Sequence, residues 1–164
     1  TSESGNSRTY KITIIKVKDT TTVNDIISKL SVKTNDTLMF NISSGTLVST
    51  LIQSINKQNS NAIVNIYESS GSVSSSSDLI KTNQKIKITV PSGESRTYTL
   101  IVTGDTSGDG KVTILDLLQL QKHLLGSSVL NSVQLKSADT NLDGTTNILD
   151  LLRIQKHILG SIRL

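Results

Sequence analysis

Apolar and polar positions along the first hundred residues follow two different periods. In two segments the apolar residues recur every three to four positions, as on one face of a helix. In three others, rich in β-branched residues, apolar and polar positions alternate, which predicts strands. The predicted helices span residues 26–30 and 47–55, and the predicted strands span 62–67, 85–90 and 97–102. Thr22 and Asp25 form a capping pattern before the first helix.

The remainder of the chain shows helical periodicity without strand-like alternation. Helices are predicted at residues 114–125, 132–138 and 148–159. Gly126 and Gly160 end the two long helices, and Asn131 caps the short one. The predicted fold class is therefore α+β, with a small mixed domain of three to five strands and two helices followed by an all-α part.

The all-α part is a repeat. The segment DTSGDGKVTILDLL, which begins at Asp105, aligns without a gap with DTNLDGTTNILDLL, which begins at Asp139. The match continues through QKHLLG and QKHILG at the ends of the two long helices. Self-similarity of this kind predicts two copies of one loop-helix unit.

Each copy has the ligand spacing of a twelve-residue calcium loop. Such a loop binds Ca²⁺ through oxygens at positions 1, 3, 5, 7, 9 and 12, and a glycine at position 6 makes the sharp turn. The candidate ligands of the first loop are Asp105, Ser107, Asp109, the backbone carbonyl of Lys111, Thr113 and Asp116. Those of the second are Asp139, Asn141, Asp143, the backbone carbonyl of Thr145, Asn147 and Asp150. Two calcium ions are therefore predicted.

The distribution of acidic residues supports this interpretation. Residues 104–164 contain six acidic residues, all aspartate, and all occupy positions 1, 5 and 12 of the two loops. Asp-Gly turns and aspartate helix caps are an alternative explanation for one loop, but not for two loops in matching register. Ser107 stands where Asn or Asp is usual, so the first site is expected to bind calcium less tightly.

Duplicated loops with aspartate at position 12, followed by Leu-Leu and without an ordinary helix before each loop, resemble a dockerin over about residues 103–161. The resemblance implies a non-catalytic module of a secreted bacterial protein. Such a module binds a cohesin domain and attaches its parent protein to a multi-enzyme complex or to the cell surface. Residues 104–164 would be the dockerin. Residues 18–103 resemble, more loosely, a small X-type accessory module that supports it by packing against residues 103–112.

Residues 1–17 hold a weaker repeat. GNSRTY at Gly5–Tyr10 resembles GESRTY at Gly93–Tyr98, and each is followed by an alternating apolar segment. Residues 1–17 are accordingly predicted to contain a strand, which either ends a preceding module or forms an outer strand of this one. Chance similarity of two Ser/Thr-rich turns is the alternative.

The resemblance also implies a cohesin-binding surface on the helices. By position, its residues are Ile114, Leu115, Gln121, Lys122, Ile148, Leu149, Gln155 and Lys156. The alternative is that Ile114 and Ile148 lie in the core. Because the two halves carry nearly identical residues, a half-turn rotation would present one helix in place of the other. Two binding orientations on one cohesin are therefore expected.

Composition excludes several other classes. The net charge of +4 comes from residues 1–103 and is spread out, which argues against nucleic-acid binding. The chain has no cysteine for a disulfide or thiolate site, no apolar run long enough to insert into a membrane, and no visible catalytic set. Two alternatives stay open: a calcium-stabilised structural tail without a cohesin partner, and carbohydrate binding by residues 18–103 through Phe40, Tyr67 and Tyr98.

Overall fold

The computed structural model describes residues 19–164. The strand predicted within residues 1–17 lies outside this range. The described residues form two hydrophobic cores, one in a sheet region (residues 19–102) and one in a helical region (residues 103–164). None of the helices in these residues has both the length and the apolar character needed to cross a bilayer.

A five-stranded mixed sheet organises the sheet region. Its strands are β1 (Lys33–Thr34), β2 (Leu38–Ile42), β3 (Ile63–Tyr67), β4 (Lys85–Thr89) and β5 (Ser95–Val102). Their spatial order is β1-β2-β5-β4-β3, and all neighbours are antiparallel except β2 and β5, which are parallel. The alternation in β4 buries Ile86 and Ile88 completely and exposes the lysines between and before them.

Two helices complete this core. They are α1 (Val23–Ile27) and α2 (Val48–Asn56). Thr22 and Asp25 form the predicted capping box of α1. The helix ends earlier than residue 30, because Lys29 and Leu30 donate to carbonyls only three residues back and so form a tighter turn. The apolar face of α2 buries Val48, Leu51 and Ile55 against the sheet.

The pattern of the sequence did not predict β1 and β2. Residues 38–42 read Leu-Met-Phe-Asn-Ile and do not alternate between apolar and polar types. Asn41 has a left-handed backbone, with φ of 64°, where the pairing of β2 with β5 shifts register. The bulge places both Met39 and Ile42 in the core, which a regular strand with two residues between them would not do.

The helical region contains the three predicted helices. They are α3 (Ile114–Leu124), α4 (Ser132–Ala138) and α5 (Ile148–Ile158). The two long helices pack against each other around the buried side chains of Leu120 and Ile154. Asn131 caps α4 as predicted, and Gly126 and Gly160 follow the long helices with the left-handed backbone that favours glycine.

Strand β5 connects the two regions, and hydrogen bonds join them. Thr103 N–H, in the helical region, donates to the Ile42 carbonyl of the sheet region at 2.9 Å. The Ser137 hydroxyl donates to the Val102 carbonyl at 2.7 Å. Gly45 N–H also donates to the Gly110 carbonyl at 3.2 Å. The expected packing of the sheet region against residues 103–112 is thus confirmed.

Candidate functional site

The first loop (residues 105–116) is built around the carboxylate of Asp105, which is fully buried. Its Oδ1 accepts hydrogen bonds from the backbone N–H groups of Gly108 at 2.8 Å and Asp109 at 3.0 Å. Its Oδ2 accepts from Gly110 N–H at 3.1 Å and from Thr82 N–H, in the sheet region, at 2.9 Å. The backbone therefore curls around this side chain.

Asp116 closes the first loop and begins α3. Its Oδ2 accepts from the backbone N–H of Thr113 at 2.8 Å, as the third residue of a capping box. Its Oδ1 accepts from the backbone N–H of Ser107, also at 2.8 Å. One buried carboxylate therefore ties the start of the loop to the start of the helix.

The second loop (residues 139–150) repeats this arrangement. Asp150 Oδ2 accepts from Asn147 N–H at 2.9 Å, and Asp150 Oδ1 accepts from Thr140 N–H at 2.9 Å. Asp139 Oδ2 accepts from Gly144 N–H at 3.2 Å and from the Lys136 ammonium at 3.0 Å. The same ammonium lies 4.7 Å from the centre of the Phe40 ring, so Lys136 bridges the sheet region and the second loop.

The side chains at position 5 lie on the outside of both loops. Asp109 and Asp143 are exposed, and each accepts a hydrogen bond at 2.8 Å from the backbone N–H two residues later. At position 3, Asn141 accepts from Asp143 N–H at 3.0 Å, whereas the shorter Ser107 donates to Asp105 Oδ1 at 3.3 Å. The bonds to backbone N–H groups two residues later are Asx turns, which give each loop its coiled path.

Electrostatics distinguishes the inner and outer carboxylates. Burial raises the pKa of Asp105, an effect that amide hydrogen bonds oppose and the nearby negative charge of Asp116 reinforces. The hydroxyl and backbone N–H of Thr145 hold the pKa of Asp143 below its ordinary value. Burial thus disfavours the charged form of Asp105, and a bound cation would offset this cost.

The donor set of both loops fits calcium. Carboxylate, amide, hydroxyl and carbonyl oxygens are the ligands that a hard cation prefers, and neither loop contains a histidine. Asp139 Oδ1 is buried and has no hydrogen-bond partner, as expected of an oxygen that serves a metal. Within residues 19–164, however, no three His, Cys, Asp or Glu side chains lie close enough together to form a metal-holding group. Calcium would therefore be held by the predicted combination of carboxylate, amide, hydroxyl and carbonyl oxygens. The bound ion would supply positive charge and would link the two ends of the loop.

The predicted partner-binding residues are all on the surface. Ile114 and Leu115 are 67% and 48% exposed, and Ile148 and Leu149 are 57% and 55% exposed. Gln121, Lys122, Gln155 and Lys156 are exposed as well. The alternative that Ile114 and Ile148 belong to the core is therefore wrong.

The exposed apolar surface extends further than the sequence-based set of residues. Leu118 and Leu152 are each 42% exposed, one helical turn after Ile114 and Ile148. The i, i+4 spacing was the signal that could have identified them. We define the exposed apolar face as Ile114, Leu115 and Leu118 on α3 together with Ile148, Leu149 and Leu152 on α5.

The two histidines of the repeat, and two of the aromatic residues considered for sugar binding, make contacts within the fold. His123 and His157 accept hydrogen bonds from the backbone N–H groups of Leu130 and Leu164 at 3.4 and 3.2 Å, so each ties the end of its helix to the following segment. Tyr98 is 2% exposed in the core of the sheet region, and the Phe40 ring lies under Lys136. Two of the three aromatic side chains considered for sugar stacking therefore have other contacts.

Comparison with known proteins finds a matching family model in the helical region. Neither curated proteins nor solved structures include a match to this chain. Dockerin domains in general are non-catalytic modules that bind calcium and dock onto cohesin domains, and the proteins that carry them are typically extracellular or attached to the cell surface. Residues 103–159, which contain both loops and helices α3 to α5, match the family model of the dockerin type I domain.

Proposed function

We propose that residues 104–164 form a calcium-dependent docking module that binds a cohesin domain and anchors a secreted parent protein to a multi-enzyme complex or to the cell surface. The observation that carries this proposal is the coincidence of two features in both repeats. In each loop with calcium-ligand spacing, the last ligand is immediately preceded by a pair of apolar residues that the structure leaves exposed.

Two calcium ions would hold the loops in the form that starts each helix. We assign the ligands of the first ion to Asp105, Ser107, Asp109, Lys111, Thr113 and Asp116, and those of the second to Asp139, Asn141, Asp143, Thr145, Asn147 and Asp150. The aspartate at position 12 of each loop is also the third residue of the capping box that starts α3 or α5. Calcium binding therefore acts directly on the start of the two helices that carry the exposed apolar face.

A cohesin fits this face by its chemistry. Monomeric proteins rarely leave contiguous apolar patches exposed without a partner. On α3 the apolar residues are followed by exposed Gln121 and Lys122, and on α5 by Gln155 and Lys156, which gives an apolar centre with a polar edge. The equivalent residues of the two helices support two binding orientations related by a half-turn.

Residues 18–103 are proposed to be an X-type accessory module that holds the docking module in place. Their hydrogen bonds with the first loop and α4 support this role. A carbohydrate-binding role is less consistent with the burial of Tyr98.

Calorimetric titration of the chain with candidate cohesins, with calcium and again with a chelator, tests the proposal. Tight binding that is lost on chelation is the expected result. Calcium binding without affinity for any cohesin would instead favour a structural tail, and cohesin binding that persists in the chelator would contradict the role of the loops.

A further inference from the structure

One ligand position of the first loop is held by a residue outside the helical region. The backbone N–H of Thr82 donates to Asp105 Oδ2 at 2.9 Å, and both residues are buried. Thr82 lies in the turn that precedes β4, more than twenty positions before the loop. The equivalent carboxylate of the second loop, Asp139, accepts instead from Lys136 in the adjacent helix α4.

The glycines of the first loop also approach the sheet region closely. A Cβ at Gly110 would lie 2.7 Å from the Ile80 carbonyl oxygen and 2.9 Å from the Leu79 Cβ. A Cβ at Gly108 would lie 3.3 Å from the Thr82 carbonyl oxygen. At Gly144, the counterpart of Gly110 in the second loop, nothing lies within 4 Å. Only the first loop is therefore seated against the turn that contains Thr82.

We propose that Thr82 is a positioning residue for the first calcium site, so that calcium binding there is coupled to the turn that contains Thr82, whereas binding at the second site is not. This inference rests on the proposed calcium binding of both loops. Two sites with similar ligands would then differ in how their calcium affinity depends on the rest of the chain, because Thr82 lies outside both loops.

The physical basis is preorganisation of the ligand. A carboxylate at position 1 binds an ion more tightly when a hydrogen bond already fixes its orientation. Loss of such a hydrogen-bond partner of a metal ligand typically lowers metal affinity 10- to 100-fold. Linkage makes the effect reciprocal: an ion that binds better when the Thr82 turn is in place must stabilise that turn to the same extent.

The turn itself offers a clean way to remove the hydrogen bond. Gln84 N–H donates to the Lys81 carbonyl at 3.3 Å, and Asn83 has φ of 78°. Thr82 is therefore the second residue of a type II turn, a position where proline is common. Thr82→Pro removes the N–H donor while keeping the turn. Thr82→Val is the matched control, because it loses the hydroxyl that bonds with the backbone of Val102 but keeps the N–H.

Calcium titration of the full chain and both variants tests the proposal. In Thr82→Pro, we expect one of two sites to weaken about tenfold while the other changes less than about twofold, and in Thr82→Val both sites should keep near-normal affinity. Equal affinities in the two variants would overturn the coupling. Failure of the wild-type chain to bind calcium would overturn the proposed function instead, so the two failures are distinguishable.

A second measurement needs no substitution and so does not depend on the folding of a variant. In a calcium titration followed by amide NMR, the Thr82 signal should shift together with that of Gly110 in the first loop. The signal of Gly144 reports the second site independently. A Thr82 signal that stays fixed while that of Gly110 moves would contradict the proposal.

Discussion

At the scale of single residues, the two loops differ most at position 4. Gly108 occupies this position in the first loop with φ of 80°, and Leu142 occupies it in the second with φ of 60°. A side chain with a Cβ is strained in this left-handed conformation by about 1–2 kcal/mol, whereas glycine is not. Leu142 therefore stores strain in a loop whose remaining residues follow the calcium pattern.

Substitutions at Leu142 should reveal this strain. Leu142→Gly and Leu142→Ala lose nearly the same side-chain contacts, but only the first removes the clash of the Cβ with its own backbone. We expect the glycine variant to have the larger free energy of unfolding, by about 1 kcal/mol, in urea titrations with saturating calcium.

The matched control for Leu142 is the exposed linker residue Ser128, which is not among the residues with positive φ. There the order should reverse, with alanine more stable than glycine. The same order at both positions would show that the left-handed backbone at Leu142 carries no strain.

At the scale of elements, α3 and α5 are near copies that bury one face and expose another. Each begins with a capping box whose third residue is the last aspartate of its loop. Leu120 and Ile154 are buried in the shared core, whereas the residues of the exposed apolar face lie on the surface. Repeat symmetry thus gives the two helices equivalent surfaces as well as equivalent cores.

Replacing the apolar pair of one helix tests this equivalence. In the double variant Ile114→Ser, Leu115→Ser, cohesin affinity should fall by about twofold, because the second helix can take the place of the first. Adding Ile148→Ser and Leu149→Ser should abolish binding. Since all four side chains are about half exposed or more, thermal unfolding in calcium should change little.

Cohesin titration by calorimetry measures both variants. A loss of a hundredfold or more in the first variant would mean that only one orientation exists. Retention of binding in the fourfold variant would place the docking surface elsewhere.

At the scale of the whole molecule, two cores of different size are joined through the first loop and α4. The helical region has few fully buried apolar residues, so metal binding would contribute much of its folding free energy. Because Asp105 and Gly110 contact the sheet region, the effect of calcium should extend beyond the loops.

Thermal unfolding with and without chelator checks this expectation. At a calcium concentration one hundred times the dissociation constant, each site would stabilise the folded chain by about 2.7 kcal/mol, so chelation should lower the unfolding temperature and helical content. Magnesium at the same concentration is the control and should restore less stability, because the flexible oxygen cage favours the larger ion. An unchanged unfolding temperature on chelation would contradict a structural role for calcium.

The sequence by itself determined the helical region closely, because the signals there are local. Ligand spacing, caps such as Asn131 and terminating glycines act within a few residues, and the structure has the three helices within one residue of their predicted ends. Only the tertiary structure decided which distant segments of the chain contact each other. The parallel pairing of β2 with β5 and the hydrogen bond from Thr82 to Asp105 join residues distant in the chain. No short-range pattern specifies such contacts, since they arise only when the two cores pack together.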